Sequence, residues 1–109
     1  MIRPEFRVPE NNNFRTKRLF YELSYPEHEF AVYTIQHQDK TVDGKLYPSL
    51  YPRYLESCLE DPTEYSFALT YFENWDHWQQ VCNAYWFKPY ITKWRHELQV
   101  AIRSQALVR

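Results

Sequence analysis

Two cysteines and four histidines are the residues of this chain whose types could bind a metal ion or act as a nucleophile. Zinc sites bring such ligands together through Cys-x-x-Cys pairs or through two histidines one helical turn apart. Neither spacing occurs in this sequence, and His77 and Cys82 diverge around a helix. We therefore expect no metal and no cofactor, with the thiols in the core and the histidines at the surface or half buried (Cys58, Cys82; His28, His37, His77, His96).

Catalysis by a side chain needs an acid, base or nucleophile that another group orients. Asp76 and His77 are adjacent, so on a helix their side chains point about 100° apart and cannot pair well. Neighbouring carboxylates such as Glu60 and Asp61 are better explained as helix-start residues that the helix macrodipole favours. The sequence therefore predicts a protein that is not an enzyme.

Basic side chains are concentrated at the two ends of the chain. Residues 1–18 carry five basic and two acidic side chains, residues 19–87 carry three and eleven, and residues 88–109 carry five and one. Such asymmetry indicates a nucleic-acid or acidic partner, although small proteins also show uneven charge by chance. If DNA is bound, the expected phosphate contacts are the cations of the two ends: Arg3, Arg7, Arg15, Lys17, Arg18, Lys88, Lys93, Arg95, Arg103 and Arg109.

Composition limits the class of protein. A chain of 109 residues is one small domain, and a 19% aromatic content excludes a disordered, solvating chain. Gly44 is the only glycine, which excludes a phosphate-binding glycine loop. No apolar run is long enough to span a membrane, the polar N-terminus is unlike a signal peptide, and two thiols suit a reducing compartment. We expect a soluble cytoplasmic protein, in the host cytoplasm if the protein is viral.

The first part of the chain is expected to contain a basic arm and a small β-hairpin. Residues 1–16 lack an apolar period and contain two prolines, so we interpret them as the arm and residues 17–109 as a single helical domain. The β-branched and aromatic residues 30–35 predict a strand. Asp43 and Gly44 predict the turn of a hairpin over about residues 30–47.

Four helices are predicted after residue 49, which makes the fold mostly α. Ser49 is expected to cap a helix that ends at Glu60, and Asp61 to cap the next one in a capping box with Glu64. A third helix is expected over residues 75–86 and a fourth over residues 88–107, with four core tryptophans (Trp75, Trp78, Trp86, Trp94). The last helix has no glycine or proline stop, so residues 98–108 are a candidate for self-association.

The second and third helices have the connectivity of a helix-turn-helix, because only a short turn separates them. The helix in the recognition position offers Gln79, Gln80 and Asn83, which could contact adenine edges, but no lysine or arginine. A plain helical hairpin in the core is the alternative interpretation of this pair.

Several short motifs of the chain resemble those of small tailed-bacteriophage proteins. They are Tyr47-Pro48-Ser49-Leu50-Tyr51, Asp61-Pro62-Thr63-Glu64-Tyr65-Ser66-Phe67-Ala68, Trp75-Asp76-His77-Trp78, Trp86-Phe87-Lys88-Pro89-Tyr90, Trp94-Arg95-His96-Glu97-Leu98 and Arg103-Ser104-Gln105-Ala106-Leu107. In this pattern the chain resembles terminase small subunits over about residues 17–109. The resemblance implies a helix-turn-helix-like part that binds double-stranded DNA, assembly into a homo-oligomeric ring, and a large terminase subunit as partner. A protein of this kind recognises viral DNA for packaging and has no chemistry of its own.

Two other functions fit the same residues. The acidic middle of the chain could bind a viral or host protein, in which case charge reversal at Glu56, Glu60 or Glu73 should abolish binding. A transcriptional regulator with the same helix-turn-helix topology would differ from a packaging protein only in the DNA that it prefers.

Overall fold

The computed structural model describes residues 4–11, 13–25 and 28–108, with the side chains of residues 5–11, 13–25 and 28–105. Four 3-10 turns occupy the first part, at Pro4–Phe6, Lys17–Leu19, Tyr21–Leu23 and His28–Phe30. A hairpin of β1 (Lys40–Val42) and β2 (Lys45–Tyr47) follows, and then α1 (Leu50–Glu60), α2 (Tyr65–Phe72), α3 (Trp75–Asn83) and α4 (Lys88–Val108). The predicted mostly α fold with a small hairpin is confirmed. In the described residues, no helix combines the length and the apolar character that crossing a membrane requires.

The hairpin forms at the predicted turn but from different strands. Lys40 pairs with Tyr47 and Val42 with Lys45, and both Asp43 and Gly44 adopt positive φ. The predicted strand over residues 30–35 is wrong. Within it, Tyr33 and Thr34 make only isolated bridges, to Phe20 and Ser49. Residues 31–35 are buried, so the apolar character of this segment reflects contact with the core and not a ladder with the next strand.

The first helix begins after Ser49 and ends at Glu60, as predicted, although the Ser49 hydroxyl donates to the Gln36 carbonyl and does not cap the helix. The start of α2 differs from the prediction. Asp61 accepts the backbone N–H groups of Thr63 and Ser66, and Glu64 stands immediately before the helix with φ 72°. The predicted capping box is therefore wrong, because the Glu64 side chain turns into the interior.

The last two helices form with altered bounds. The Asn74 side chain accepts the His77 N–H and caps α3, which ends at Asn83 instead of residue 86. Ala84 is extended, and α4 begins at Lys88. The predicted α2–α3 pair is present, joined by residues 73 and 74.

The N-terminal segment is part of the folded domain. Phe6 is fully buried in the same hydrophobic core as Trp78 and Phe72. Arg7 and Phe14 form an antiparallel bridge, and the Arg15 N–H donates to the Phe6 carbonyl at 2.7 Å. The described part of the predicted arm over 1–16 thus packs on the domain over 17–109 through an aromatic residue that periodicity does not single out.

Aromatic rings form a continuous series through the core. Trp78 lies 4.9 Å from Phe67 and 6.0 Å from Phe87 between ring centroids, and Phe87 lies 5.2 Å from Trp94. Edge-on and tilted pairs of this kind contribute beyond the area that they bury. Two of the predicted core tryptophans, Trp78 and Trp94, are buried, whereas Trp75 and Trp86 are half buried at the core's edge.

Candidate nucleic-acid interface

Phe20 brings the two basic ends of the chain together. Its ring lies 5.7 Å from Trp86, edge-on, and 5.8 Å from Phe87, stacked. Lys17 and Arg18 precede Phe20 by one 3-10 turn, and Lys88 follows Phe87 directly. All three basic residues are exposed. The segments that carry the positive charge therefore meet in the tertiary structure although they lie at opposite ends of the sequence.

The surroundings of these three cations differ. Arg18 lines a groove of about 420 Å³ that also contains the carboxylates of Glu10 and Glu29, together with Arg15 and Phe30. Opposite charges in one groove weaken the field that a phosphate would meet there. Lys17 and Lys88 do not line this groove.

On α4, two further predicted cations are exposed. Lys93 and Arg103 point to solvent on the side opposite Ile91, Trp94 and Leu98, which are buried. Lys93 follows Lys88 by five residues, which places the two side chains about 140° apart around the helix, so Lys93 faces a different side of α4 from Lys88. Arg3 and Arg109 lie outside the described residues.

Arg7 and Arg15 hold the N-terminal segment in place. The Arg7 guanidinium lies 4.1 Å from the centroid of the Phe14 ring, and that of Arg15 lies 3.6 Å from the centroid of Phe30. Arg15 also donates to the carbonyl oxygens of Glu5 and Arg7, at 3.0 and 2.8 Å. Both residues are half buried, so each has a structural contact whatever else it binds.

Arg95 belongs to a buried polar network that sequence reasoning missed. Its Nε donates to Oε2 of Glu64 and its Nη2 donates to Oε1, both at 2.8 Å. The same carboxylate accepts the Tyr54 hydroxyl at 2.6 Å and the Trp78 indole N–H at 3.1 Å. Glu64 is only 6% exposed, so these four bonds compensate for the water that it loses.

The network shifts the protonation equilibria of its members. Burial alone would raise the pKa of Glu64, but the hydrogen bonds from Arg95, Tyr54 and Trp78 outweigh burial and lower that pKa. Burial, and then the bond to Glu64, raises the pKa of Tyr54. Burial also raises the pKa of Cys82, whose Sγ lies 3.7 Å from Nη2 of Arg95, to about 12. The predicted buried thiols are confirmed, since Cys58 is also buried.

His77 was expected at the surface or half buried, and that expectation is wrong. It is fully buried, stacked on Phe14 at 4.5 Å and in edge contact with Phe6 and Phe72 at 5.1 Å. Its Nε2 donates to the Arg15 carbonyl at 2.5 Å, while Nδ1 has no hydrogen-bond partner among the described residues. Burial lowers the pKa of His77 to about 4. The neutral His77 ring therefore connects the N-terminal segment to α3, through its hydrogen bond to Arg15 and its contact with Phe14.

The α3 helix offers no cation for a phosphate. Its exposed side chains are Asp76, Gln80 and Asn83, and Gln79 is half exposed. In contrast, Trp78 and Val81 on the same helix are fully buried. The helix therefore contributes to the core, and the exposed lysines named above lie on other elements.

Comparison with protein-family models, with curated protein sequences and with solved structures finds no match to this chain. In the described part of the chain, no three His, Cys, Asp or Glu side chains are grouped so that they could hold a metal ion.

An acidic notch lies between α1 and α2. None of the residues that line it is among the basic residues predicted to contact DNA. It has a volume of about 240 Å³ and is lined by Glu56, Glu60, Ser57, Arg53 and Tyr71. The Arg53 guanidinium is bound to both oxygens of Asp39, at 2.6 and 3.1 Å. This pairing leaves the two glutamates as the dominant charge of the notch.

Proposed function

We propose that this protein binds double-stranded DNA through the surface at which the two basic ends of the chain meet. The contact of Phe20 with Trp86 and Phe87 carries the proposal, because it places Lys17 and Arg18 beside the start of α4. Several cations on one surface release several counterions from DNA, and that release supplies most of non-specific affinity.

The exposed lysines are the phosphate contacts that we propose first. Lys17 and Lys88 are exposed, whereas Arg15 and Arg95 already bond within the protein. We assign Arg15 and Arg95 to folding and keep Arg7, Arg18, Lys93 and Arg103 as secondary contacts. The protein needs no chemistry of its own for this function.

The finer proposal follows the resemblance to terminase small subunits. In that role the protein would recognise viral DNA for packaging, as a homo-oligomer that works with a large terminase subunit. Leu98 and Ile102 pack on the protein's own core, which leaves Val100, 48% exposed, as the apolar side chain available to a second copy among residues 98–105. A transcriptional regulator would bind DNA through the same surface.

The salt dependence of duplex binding tests the proposal. We expect a fluorescently labelled 20-base-pair duplex to bind at 50 mM salt and to lose affinity steeply by 200 mM. Each phosphate contact that is removed should reduce the slope of log K against log salt by about 0.9. The variant Lys17→Ala/Lys88→Ala removes one lysine from each end of the chain and should therefore reduce that slope by about 2.

A control variant shows whether the reduced slope comes from this surface or only from the change in net charge. Gln38→Glu/Thr70→Glu makes the same change in net charge at two exposed positions on other elements, and should leave the slope nearly unchanged. Size-exclusion chromatography with mass detection, with and without the duplex, measures the oligomer in the same samples. A duplex affinity that does not change between the two salt concentrations would contradict the proposal.

The acidic notch supports a second candidate function, that of a protein-interaction module. Glu56 and Glu60 are exposed on one face of α1, where a basic segment of a partner could bind them. A short lysine-rich peptide is a suitable probe. If the peptide binds and Glu56→Lys/Glu60→Lys abolishes its binding, while the duplex does not bind, this candidate replaces the first.

A further inference from the structure

Aromatic side chains surround the start of α4 at the basic surface. Tyr85 is 82% exposed, in the turn between α3 and α4. Trp86, the next residue, is half buried against Phe20, and Tyr90 is 38% exposed with its ring 6.0 Å from that of Phe87. Phe87 itself is fully buried, so it anchors the rings of Trp86 and Tyr90 to the core.

These aromatic residues are close to basic residues in the sequence. Lys88 lies between Trp86 and Tyr90 in sequence, and Phe20 attaches the segment of Lys17 and Arg18 to the same place. Exposed aromatic rings next to lysines are the two components with which proteins bind single-stranded nucleic acid. The cations follow the backbone while successive bases stack on the rings.

We propose that the turn between α3 and α4 binds unpaired bases, with Tyr85 as the principal stacking residue and Trp86 and Tyr90 beside it. In a duplex the faces of the bases are covered by their neighbours, so this turn can stack only on a single strand, a frayed end or a flipped base. The inference rests on the proposed function, since Lys17 and Lys88 supply the phosphate contacts in both.

Oligo(dT) of 12 nucleotides is the probe for this inference, because it has no secondary structure and every base can stack. Loss of one stacking ring costs single-strand binders about 5- to 150-fold in affinity. We expect Tyr85→Ala to weaken oligo(dT) binding by about tenfold at 50 mM salt. Tyr85→Phe should keep wild-type affinity because it retains the ring. Binding should also quench tryptophan fluorescence, and Trp86→Phe should reduce that quenching.

The chain contains a matched control for Tyr85. Tyr25 is 83% exposed, almost the same fraction, but its described neighbours in sequence include Glu22 and Glu29 and no lysine. Tyr25→Ala should therefore leave oligo(dT) affinity unchanged. Both substitutions remove exposed side chains, and circular dichroism should confirm that both variants keep the wild-type fold.

The salt dependence of binding distinguishes the contribution of stacking to affinity from that of charge. Tyr85→Ala should lower affinity by the same factor at every salt concentration, because stacking releases no counterions. Lys17→Ala/Lys88→Ala should reduce the slope for the single strand by about 1.4, which is about 0.7 for each contact. Different responses of these two variants support a site that combines rings and cations.

The outcomes distinguish this inference from the proposed function. If the duplex binds with the expected salt slope but Tyr85→Ala binds oligo(dT) as the wild type does, the inference is overturned and the proposed function stands. If neither probe binds at 50 mM salt, both are overturned. If oligo(dT) binds, Tyr85→Ala weakens that binding and duplex does not bind, the inference stands and the substrate of the proposed function changes to single strands.

Discussion

The guanidinium of Arg95 binds the carboxylate of Glu64 through two parallel hydrogen bonds, Nε to Oε2 and Nη2 to Oε1, each 2.8 Å long. The two residues belong to different helical segments, since Glu64 stands immediately before α2 and Arg95 lies in α4. The Arg95 side chain is 47% exposed and that of Glu64 is 8% exposed. The pair thus joins two elements at a point where one charge is buried and the other reaches water.

Replacing Glu64 by glutamine should destabilise the protein by about 2 kcal/mol. Removing one partner of a buried pair typically costs about 3–5 kcal/mol, and the partial exposure of Arg95 lowers that cost because water solvates the remaining charge. Urea unfolding measures the difference. Glu60→Gln, an exposed carboxylate of α1, is the control and should change stability by less than about 0.5 kcal/mol. Equal midpoints for the two variants would show that the pair contributes nothing.

Replacing Glu73 by glycine should stabilise the protein by about 1 kcal/mol. Glu73 follows α2 with φ 60°, a left-handed conformation that glycine adopts without strain. Its Oε2 is also buried with no hydrogen-bond partner among the described residues, and glycine removes that atom. Thermal unfolding detects the change.

Glu64 provides the contrasting substitution for that experiment. It has φ 72°, so Glu64→Gly relieves the same kind of backbone strain while removing the bonds to Arg95, Tyr54 and Trp78. We expect this variant to be less stable than the wild type. If both glycine variants are destabilised alike, left-handed strain is not what limits stability at Glu73.

Stability should fall as the pH decreases from about 6.5 towards 5 because of His77. Burial lowers the pKa of His77 to about 4 in the folded state, whereas the unfolded histidine has a pKa near 6.5. The unfolded chain therefore binds a proton in this range that the folded protein does not bind, which favours unfolding. The full effect is roughly 3 kcal/mol and is complete only below the folded pKa.

Urea unfolding at pH 7, 6 and 5 measures this dependence. His77→Phe keeps an aromatic ring against Phe14 but cannot titrate, so its stability should depend less on pH over this range. His96→Gln removes an exposed histidine and should keep the wild-type dependence. An unchanged pH dependence in His77→Phe would assign the effect to other groups.

Truncating Phe6 should destabilise the protein by about 3–5 kcal/mol, the usual cost of removing a buried phenylalanine. Phe6 is fully buried and contacts Phe72 and His77, at 6.0 and 5.1 Å between ring centroids. Denaturant unfolding of Phe6→Ala measures this loss, with Glu10→Ala, an exposed residue of the same segment, as the control. An N-terminal segment that behaves as a free arm would give no difference between the two variants.

The helices and the turn were predictable because their signals are local. Ser49 and Glu60 bound α1 as expected, and Asp43 and Gly44 make the hairpin turn, since positive φ at such a turn depends on the residues themselves. The spacing of Asp61 and Glu64 also satisfies a local rule, but the structure departs from that rule. Glu64 instead turns inward to Arg95, a partner that no short-range pattern reveals.

The candidate interface likewise combines features that local sequence signals predict with contacts between distant residues that those signals do not reveal. The amino-acid sequence is enough to predict a helical, aromatic-rich chain with positive charge at both ends and an acidic middle. Three contacts became known from the folded chain alone: Phe20 with Trp86 and Phe87, Arg95 with Glu64, and buried His77 with Phe14. Each of these contacts joins residues far apart in the chain. Their formation depends on how helices and segments pack against one another, and helical periodicity records only which face of each helix is apolar.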